Sequence, residues 1–164
     1  MKNCLKVLLF CVTCMAFIGC DRVTKQLAKE NLQFGEPKSY FHDTFRLERV
    51  ENTGAALSVG DALPQKVSFW LLSILPLTVL LLLFFYVVRQ LNSFSLLKLL
   101  SFSLVIAGGL GNIIDRIVYD RHVTDFMNMG IHNMRTGIFN VADVCLPRGS
   151  SGCLLLIAVS IRGC

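Results

Sequence analysis

Charge is scarce in this sequence. Of its 164 residues 16% are Asp, Glu, Lys or Arg, whereas 54% are hydrophobic and the mean hydropathy is +0.60. Soluble domains carry roughly a quarter of their residues as charges. The composition therefore excludes an ordinary soluble fold and indicates an integral membrane protein. Cysteine is missing from the polar stretches: the residues at positions 4, 11, 14, 20, 145, 153 and 164 all lie in or beside hydrophobic segments, which excludes a disulfide framework of secreted loops. Cys11 and Cys14 have Cys-x-x-Cys spacing, but within a membrane helix they read as small packing residues. His42, His122 and His132 lack ligand-spaced companions, so no metal site is expected. Gly-x-Ser-x-Gly and P-loop patterns, internal repeats and low-complexity tracts are absent too, and no cofactor is implied. With no nucleic-acid motif, the net charge of +5 reads as attraction to anionic lipid heads.

Long hydrophobic runs are what the chain has in quantity. Val67–Val88 is uncharged over twenty-two residues, enough at about 1.5 Å per residue to cross a hydrocarbon layer of roughly 30 Å. Pro76 lies inside it and can kink it, since it removes one backbone donor. A second run spans about 94–114; its Lys98 can snorkel to the interface, and its Gly108, Gly109 and Gly111 let another backbone approach. Near the start, Lys2 and Lys6 precede an apolar stretch, Val7–Cys20, of signal-peptide length. "AFIGC" there has the look of a lipoprotein cleavage site at Cys20. The preferred reading is an uncleaved span of about 4–20, which Val23 and Leu27 can prolong. The last run, about 138–161, is interrupted by Asp143, Pro147 and Arg148. The fold expected is mainly α: a polytopic bundle of four transmembrane helices (about 4–20, 67–88, 94–114 and 138–161), forming one membrane domain over 1–164.

Four spans put both termini on one side and leave two polar loops on the other. In the first loop "DRVTKQLAKENL" has near-helical spacing of Val23, Leu27 and Leu32. Beyond the turn residues of "FGEPKS", Phe45, Leu47 and, less regularly, Val50 alternate as in a strand. A small β-containing subdomain over about 34–60, resting on the membrane surface, accounts for this. Small residues in "ENTGAALS" allow backbone to come close to a ligand. The basic residues argue against cytoplasmic termini, because Lys2, Lys6, Arg89, Lys98 and Arg162 are outnumbered by those in the two loops.

Ionisable groups at the mouths of apolar segments usually pair with each other or do chemistry. Asp115 and Arg116 are adjacent, and one of them is expected to make a structural ion pair. Asp125 in "HVTDF" and Asp143 in "FNVADV" flank one loop, so the chain can fold back and bring them together. Two close carboxylates do not both ionise readily: one keeps a proton while the other acts as base, the chemistry of an aspartyl protease. A transporter that carries protons or ions on these carboxylates is the non-enzymatic alternative, and a chain that is itself a lipoprotein processed at Cys20 is a third.

Taken in order over the hydrophobic segments, "DRVTK", "ENTGAALS", "GGLGNIIDR", "VTDF" and "FNVADV" closely resemble the lipoprotein signal peptidases, the bacterial type II signal peptidases. The resemblance runs from the first span to about Gly149. It implies an inner-membrane aspartyl endopeptidase with cytoplasmic termini, an extracytoplasmic β-containing subdomain and an active site near the periplasmic face, against the count of basic residues. It also implies a monomer without cofactor, surrounded by membrane lipids and acting on prolipoproteins whose Cys carries a diacylglyceryl group. By resemblance Asp125 and Asp143 are the catalytic pair. Asn52, Gly54, Asn112, Arg116 and Asn140 line or support the site, and Asp21 and Lys25 match the motif after the first helix. The Asn residues offer neutral donors and acceptors for extended peptide, although each can equally cap a helix. Arg116 can pair with Asp115 or meet a substrate carbonyl. Pro147, Arg148 and "GSSG" depart from the apolar or small residues usual in this family and weaken the fourth span.

Overall fold

The computed structural model describes residues 2–54, 63–131 and 134–162, with side chains over 4–54, 63–131 and 134–153. The stretch 55–60 of the expected β-containing subdomain, His132, Cys164 and the side chains of the apolar tail after Cys153 lie outside the described residues.

The chain is mainly helical, with three helices long and apolar enough to cross a membrane and one small antiparallel sheet. The first, α1 (Lys2–Asn31), runs through Cys20 without a break. At about 1.5 Å per residue it is roughly 45 Å long, so its last turns stand beyond a 30 Å hydrocarbon layer. The second is a continuous rod, Gln65–Arg89, built of α2 (Gln65–Phe69), a π turn (Trp70–Ile74) and α3 (Leu75–Arg89). The π turn explains how Pro76 is accommodated. Pro76 has no N–H to give the preceding turn, and just before it the Leu75 N–H reaches back five residues to the Trp70 carbonyl. The third is α4 (Leu96–Val118), capped at Ser95, whose hydroxyl accepts from the Lys98 N–H at 3.3 Å. The last helix, α5 (Val141–Arg162), contains Pro147.

Helix α4 is central, packed against α1, α3 and α5. Its approach to α5 depends on missing side chains. A Cβ on Gly108 would lie 2.6 Å from the Ala142 carbonyl oxygen, and one on Gly149 would lie 2.6 Å from that of Ser101. Lipid competes for apolar surface, so helices in a bilayer associate where small residues allow backbones this close. At one end of the bundle Lys6 Nζ donates to the carbonyls of Leu91, Asn92 and Phe94 at 3.2, 3.3 and 2.7 Å, closing the turn between α3 and α4.

The sheet closes the opposite end. Its strands β1 (Lys38–Tyr40), β2 (Phe45–Asn52), β3 (Val123–Ile131) and β4 (Met134–Arg135) lie in that order, every pair antiparallel. It thus reaches well beyond 34–60, since half of its strands come from the second polar loop. Leu47 pairs with Met127 but Val50 with Asp125, so Glu48 and Arg49 together oppose the single residue Phe126. This β-bulge explains why the alternation of Phe45 and Leu47 falters at Val50. Ala28, Leu32 and Phe126 are buried together, with Leu47, Met127 and Val141 against them, and so fix the sheet onto the end of α1 and the start of α5.

Candidate active site

Local structure aims each candidate side chain. Past the bulge Asn52 pairs with Val123, and Asp125 follows two residues later on the same strand face. Asn52 Nδ2 therefore donates to Asp125 Oδ2 at 3.1 Å. Phe139 bridges to β3 by main-chain bonds with Met127, both of 2.8 Å. That bridge delivers the next residue, Asn140, to the carboxylate: its Nδ2 donates to Asp125 Oδ1 at 2.6 Å.

Asn140 also starts α5. Its Oδ1 accepts from the Asp143 N–H, and its own N–H donates to Asp143 Oδ2, both at 3.1 Å. This reciprocal pair is a capping box. Capping and site chemistry, alternatives in the sequence, coincide in Asn140, which holds Asp125 and Asp143 at once. From α4, Asn112 Nδ2 donates to Asp143 Oδ1 at 2.7 Å. All four carboxylate oxygens of the pair thus receive an N–H.

Burial works against ionisation here. Asp125 is 4% exposed, and its carboxyl is pushed up to about 6, first by desolvation and then by the neighbouring Asp143, against the lowering effect of Asn52 and Asn140. Both carboxylates face a cleft of about 780 Å³ whose wall is otherwise mostly apolar, with Leu72, Leu75, Val79 and Leu80 on one side and Leu146 and Pro147 on the other. This apolar wall did not stand out in the sequence, because Leu in a spanning run faces lipid, helix or cleft with no difference in pattern.

The adjacent pair Asp115 and Arg116 separates. Asp115 is fully buried and bonds to Arg22 and, at 2.6 Å, to Lys25. Arg116 turns to the cleft, where its Nη2 donates to the Gly54 carbonyl at 2.8 Å and its Nη1 to that of Asn112 at 3.4 Å. The structural ion pair expected of one of the two is thus made by Asp115; of the two roles left open for Arg116, pairing with Asp115 is not seen among the described residues, because neighbours on a helix point about 100° apart. Gly54 also donates its N–H to Asn52 Oδ1 at 2.9 Å. Asp21 and Lys25 lie within α1 rather than after it, joined at 2.8 Å. Asp21 Oδ1 accepts the Ala142 N–H at 3.0 Å, satisfying another donor at the start of α5. Arg22 was missed by sequence reasoning, although "DRVTK" places it one residue from Asp21.

Long apolar helices, a closing sheet and two amide-bridged carboxylates at an apolar cleft suit one class, a membrane protease of the aspartic type. The chain matches the sequence profile of signal peptidase (SPase) II over residues 13–162, and it belongs to that family. It is 37% identical over 143 residues to the lipoprotein signal peptidase of Clostridium tetani, covering 87% of this chain and 85% of that one. With that of Dehalococcoides mccartyi it shares 34% over 157 residues, 93% and 91% of the two chains. A solved bacterial membrane enzyme superposes with a TM-score of 0.80 over 94% of this chain and 90% of that one, at 24% identity, and so shares the fold. The protein is thus a multi-pass membrane protease that removes signal peptides from prolipoproteins. These relatives lend no support to a transporter or to a chain processed at its own Cys20.

Proposed function

We propose that Asp125 and Asp143 are the catalytic pair, and that they cut diacylglyceryl-modified prolipoproteins just before the lipidated Cys. The observation that carries this reading is the attachment of both carboxylates to Asn140 at the polar end of one apolar cleft. One carboxyl keeps a proton and the other, ionised, takes a proton from a water molecule. The water oxygen attacks the scissile carbonyl carbon, and the protonated partner then gives its proton to the leaving amine. Asn52, Asn112 and Asn140 hold the pair without adding charge. Arg116 holds the carbonyls of Gly54 and Asn112 and lines the cleft, where a substrate carbonyl can accept from a remaining N–H of its guanidinium.

An apolar signal helix and acyl chains suit the wall formed by Leu72, Leu75, Val79, Leu80 and Leu146. In this reading α5 is a fourth span, residues 1–164 form one membrane domain, and the stretch 34–60 contributes its extracytoplasmic β-containing part. The termini face the cytoplasm and the pair lies near the periplasmic face. Lys6 and Lys25 support that depth: they stand at opposite ends of the bundle, nineteen residues apart on α1, roughly 28 Å and about one hydrocarbon thickness. In this reading the chain acts as a monomer.

The direct test is cleavage of a purified prolipoprotein by the enzyme in lipid, read by mass. The diacylglyceryl-modified form is expected to be cut at its Cys and the unmodified form at least tenfold more slowly; equal rates would remove the lipid from the recognition. For orientation, a cysteine introduced at Ser39, in a background without exposed native cysteines, should label from outside, and one at Asn92 from the cytoplasm. The reverse pattern would favour the count of basic residues.

A further inference from the structure

Lys25 is 1% exposed and lies in no position to touch a substrate, yet it is tied to the candidate site. Its Nζ meets Asp21 at 2.8 Å and Asp115 at 2.6 Å, and its remaining bond goes to Asn112 Oδ1 at 3.0 Å. An ammonium only donates. The Asn112 atom that faces it must therefore be the carbonyl oxygen, which leaves the NH2 of Asn112 to face Asp143. The same oxygen takes one N–H of Asn140 at 3.1 Å. Asn140 consequently points its NH2 inward and sends its other N–H to Asp125, while its own oxygen receives the Asp143 N–H.

A carboxamide is nearly symmetric in shape, so packing alone does not choose between its two orientations. Were Asn112 flipped, its oxygen would face the Asp143 carboxylate and its NH2 would face an ammonium. Were Asn140 flipped, its oxygen would face Asp125. Either arrangement sets acceptor against acceptor in a buried site, where an unsatisfied polar contact is most expensive.

We propose that Lys25 is a positioning residue for the reaction, whose ammonium sets the donor–acceptor direction of the Asn112–Asn140 network so that both carboxylates receive N–H donors. This rests on Asp125 and Asp143 being the catalytic pair. Asp21 and Asp115 make the site possible by keeping a buried lysine charged, and Arg22 balances Asp115. The cluster then holds two acids and two bases, so its influence on the site is mainly directional.

The test pairs Lys25→Met with Asp21→Asn, which removes the donor while leaving no unbalanced carboxylate, since Asp115 keeps Arg22. The purified protein should melt near the wild-type temperature and show an unchanged KM for lipidated prolipoprotein, with kcat lowered about 10- to 100-fold, as when outer partners of a site are lost. Replacing Lys25 by Gln in the Asp21→Asn background restores an uncharged donor and should recover at least part of kcat. A folded Met variant with wild-type kcat would overturn the proposal, as would Gln and Met variants that are folded and equally impaired.

Wild-type enzyme provides a measurement that does not depend on how the variants fold. With 15N-asparagine, the carboxamide protons of Asn112 and Asn140 should exchange at least tenfold more slowly than those of exposed Asn31; equal exchange would show freely turning amides and refute the idea. If Asp125→Asn and Asp143→Asn still cleave, the catalytic reading itself has failed. If they are inactive while the Lys25 variants behave as wild type, only the positioning role falls.

Discussion

The two ends of the helix bundle are built on opposite principles. Around Lys6, the buried side chains are Phe10, Val87, Leu91, Phe94, Leu99 and Ile106, with Phe94 stacked on Phe102 at 5.3 Å. Around Lys25, the buried groups are Asp21, Asn112, Asp115, Thr124, Asp125 and Asn140. Lipid tails are as apolar as leucine, so the first end gains from shape more than from leaving water. At the second end every polar group needs its partner, since an unmatched one is costly in a dry interior. The outside is the inverse of a soluble protein's: Leu8, Met15, Leu71, Leu82 and Phe85 are exposed while Lys25 and Asp115 are inside. The comparison implies that substitutions at the apolar end change how long the protein survives, whereas those at the polar end change what it does.

The largest effect should come from the carboxylates. Asp125→Asn and Asp143→Asn are each expected to insert and extract normally but to lower cleavage of lipidated prolipoprotein by at least about 1000-fold, because an amide cannot pass on the shared proton. The double variant should be little worse than either single one, as residues acting as a unit are not additive. Substantial cleavage by one of them would take that residue out of the chemistry.

Acidity gives a smaller and more graded effect. The Asp125 carboxyl titrates near 6 in the folded enzyme because burial and Asp143 oppose its charge. The pair needs one proton, so kcat/KM, which reports the free enzyme, should fall as pH rises through about 6. The stability sign follows from the same shift. A raised carboxyl means that the folded state binds this proton more tightly than the unfolded state does. Its contribution is therefore complete below the ordinary Asp value of 3.8 and disappears as pH rises through about 6. Thermal melts of Asp125→Asn should lack that slope, and an unchanged slope would assign it to another group.

At the apolar end, Phe94→Ala removes a ring that packs on Phe102 and Tyr86. The expected loss of stability is about 3 kcal/mol, at the low end for a buried Phe because lipid can fill part of the space. KM and kcat of the surviving protein should match wild type within twofold. A selective loss of kcat would mean that the two ends are mechanically coupled.

Much of this organisation was legible in the chain before the fold. Composition and run length defined the apolar helices, and the cost of charge in lipid singled out Asp115, Arg116, Asp125 and Asp143. What could not be read were relations across long sequence distances. No local pattern pairs β2 with β3, and the bulge at Glu48 and Arg49 erased the alternation that marks a strand. Nor does adjacency disclose direction: Asp115 turned inward to Lys25 and Arg22, while Arg116 turned to Gly54. Asn140 was ambiguous between cap and site because a single side chain serves both.

The smallest effect is expected where Pro147 and Arg148 interrupt the last apolar run. Pro147 lies inside α5 four residues after Asp143, whose carbonyl it deprives of the usual helical donor, and it lines the cleft. Arg148 is exposed on the outer side. An arginine near the centre of a span costs about 2.5 to 3.5 kcal/mol on insertion scales, and an interior helix proline roughly 3 kcal/mol in water. Neighbouring helices and snorkelling reduce both. Arg148→Ile should therefore raise the amount of inserted protein about two- to threefold, with no change in activity per molecule, since its side chain faces away from the carboxylates. Pro147→Ala should raise it similarly and restore a donor to the Asp143 carbonyl. Because Asp143 is already held by Asn112 and by the capping box with Asn140, its specific activity should stay within twofold of wild type. If Pro147→Ala instead lowered activity at constant protein amount, the proline ring would be part of the surface that seats the signal helix, and Pro147 would serve the cleft rather than burden the span.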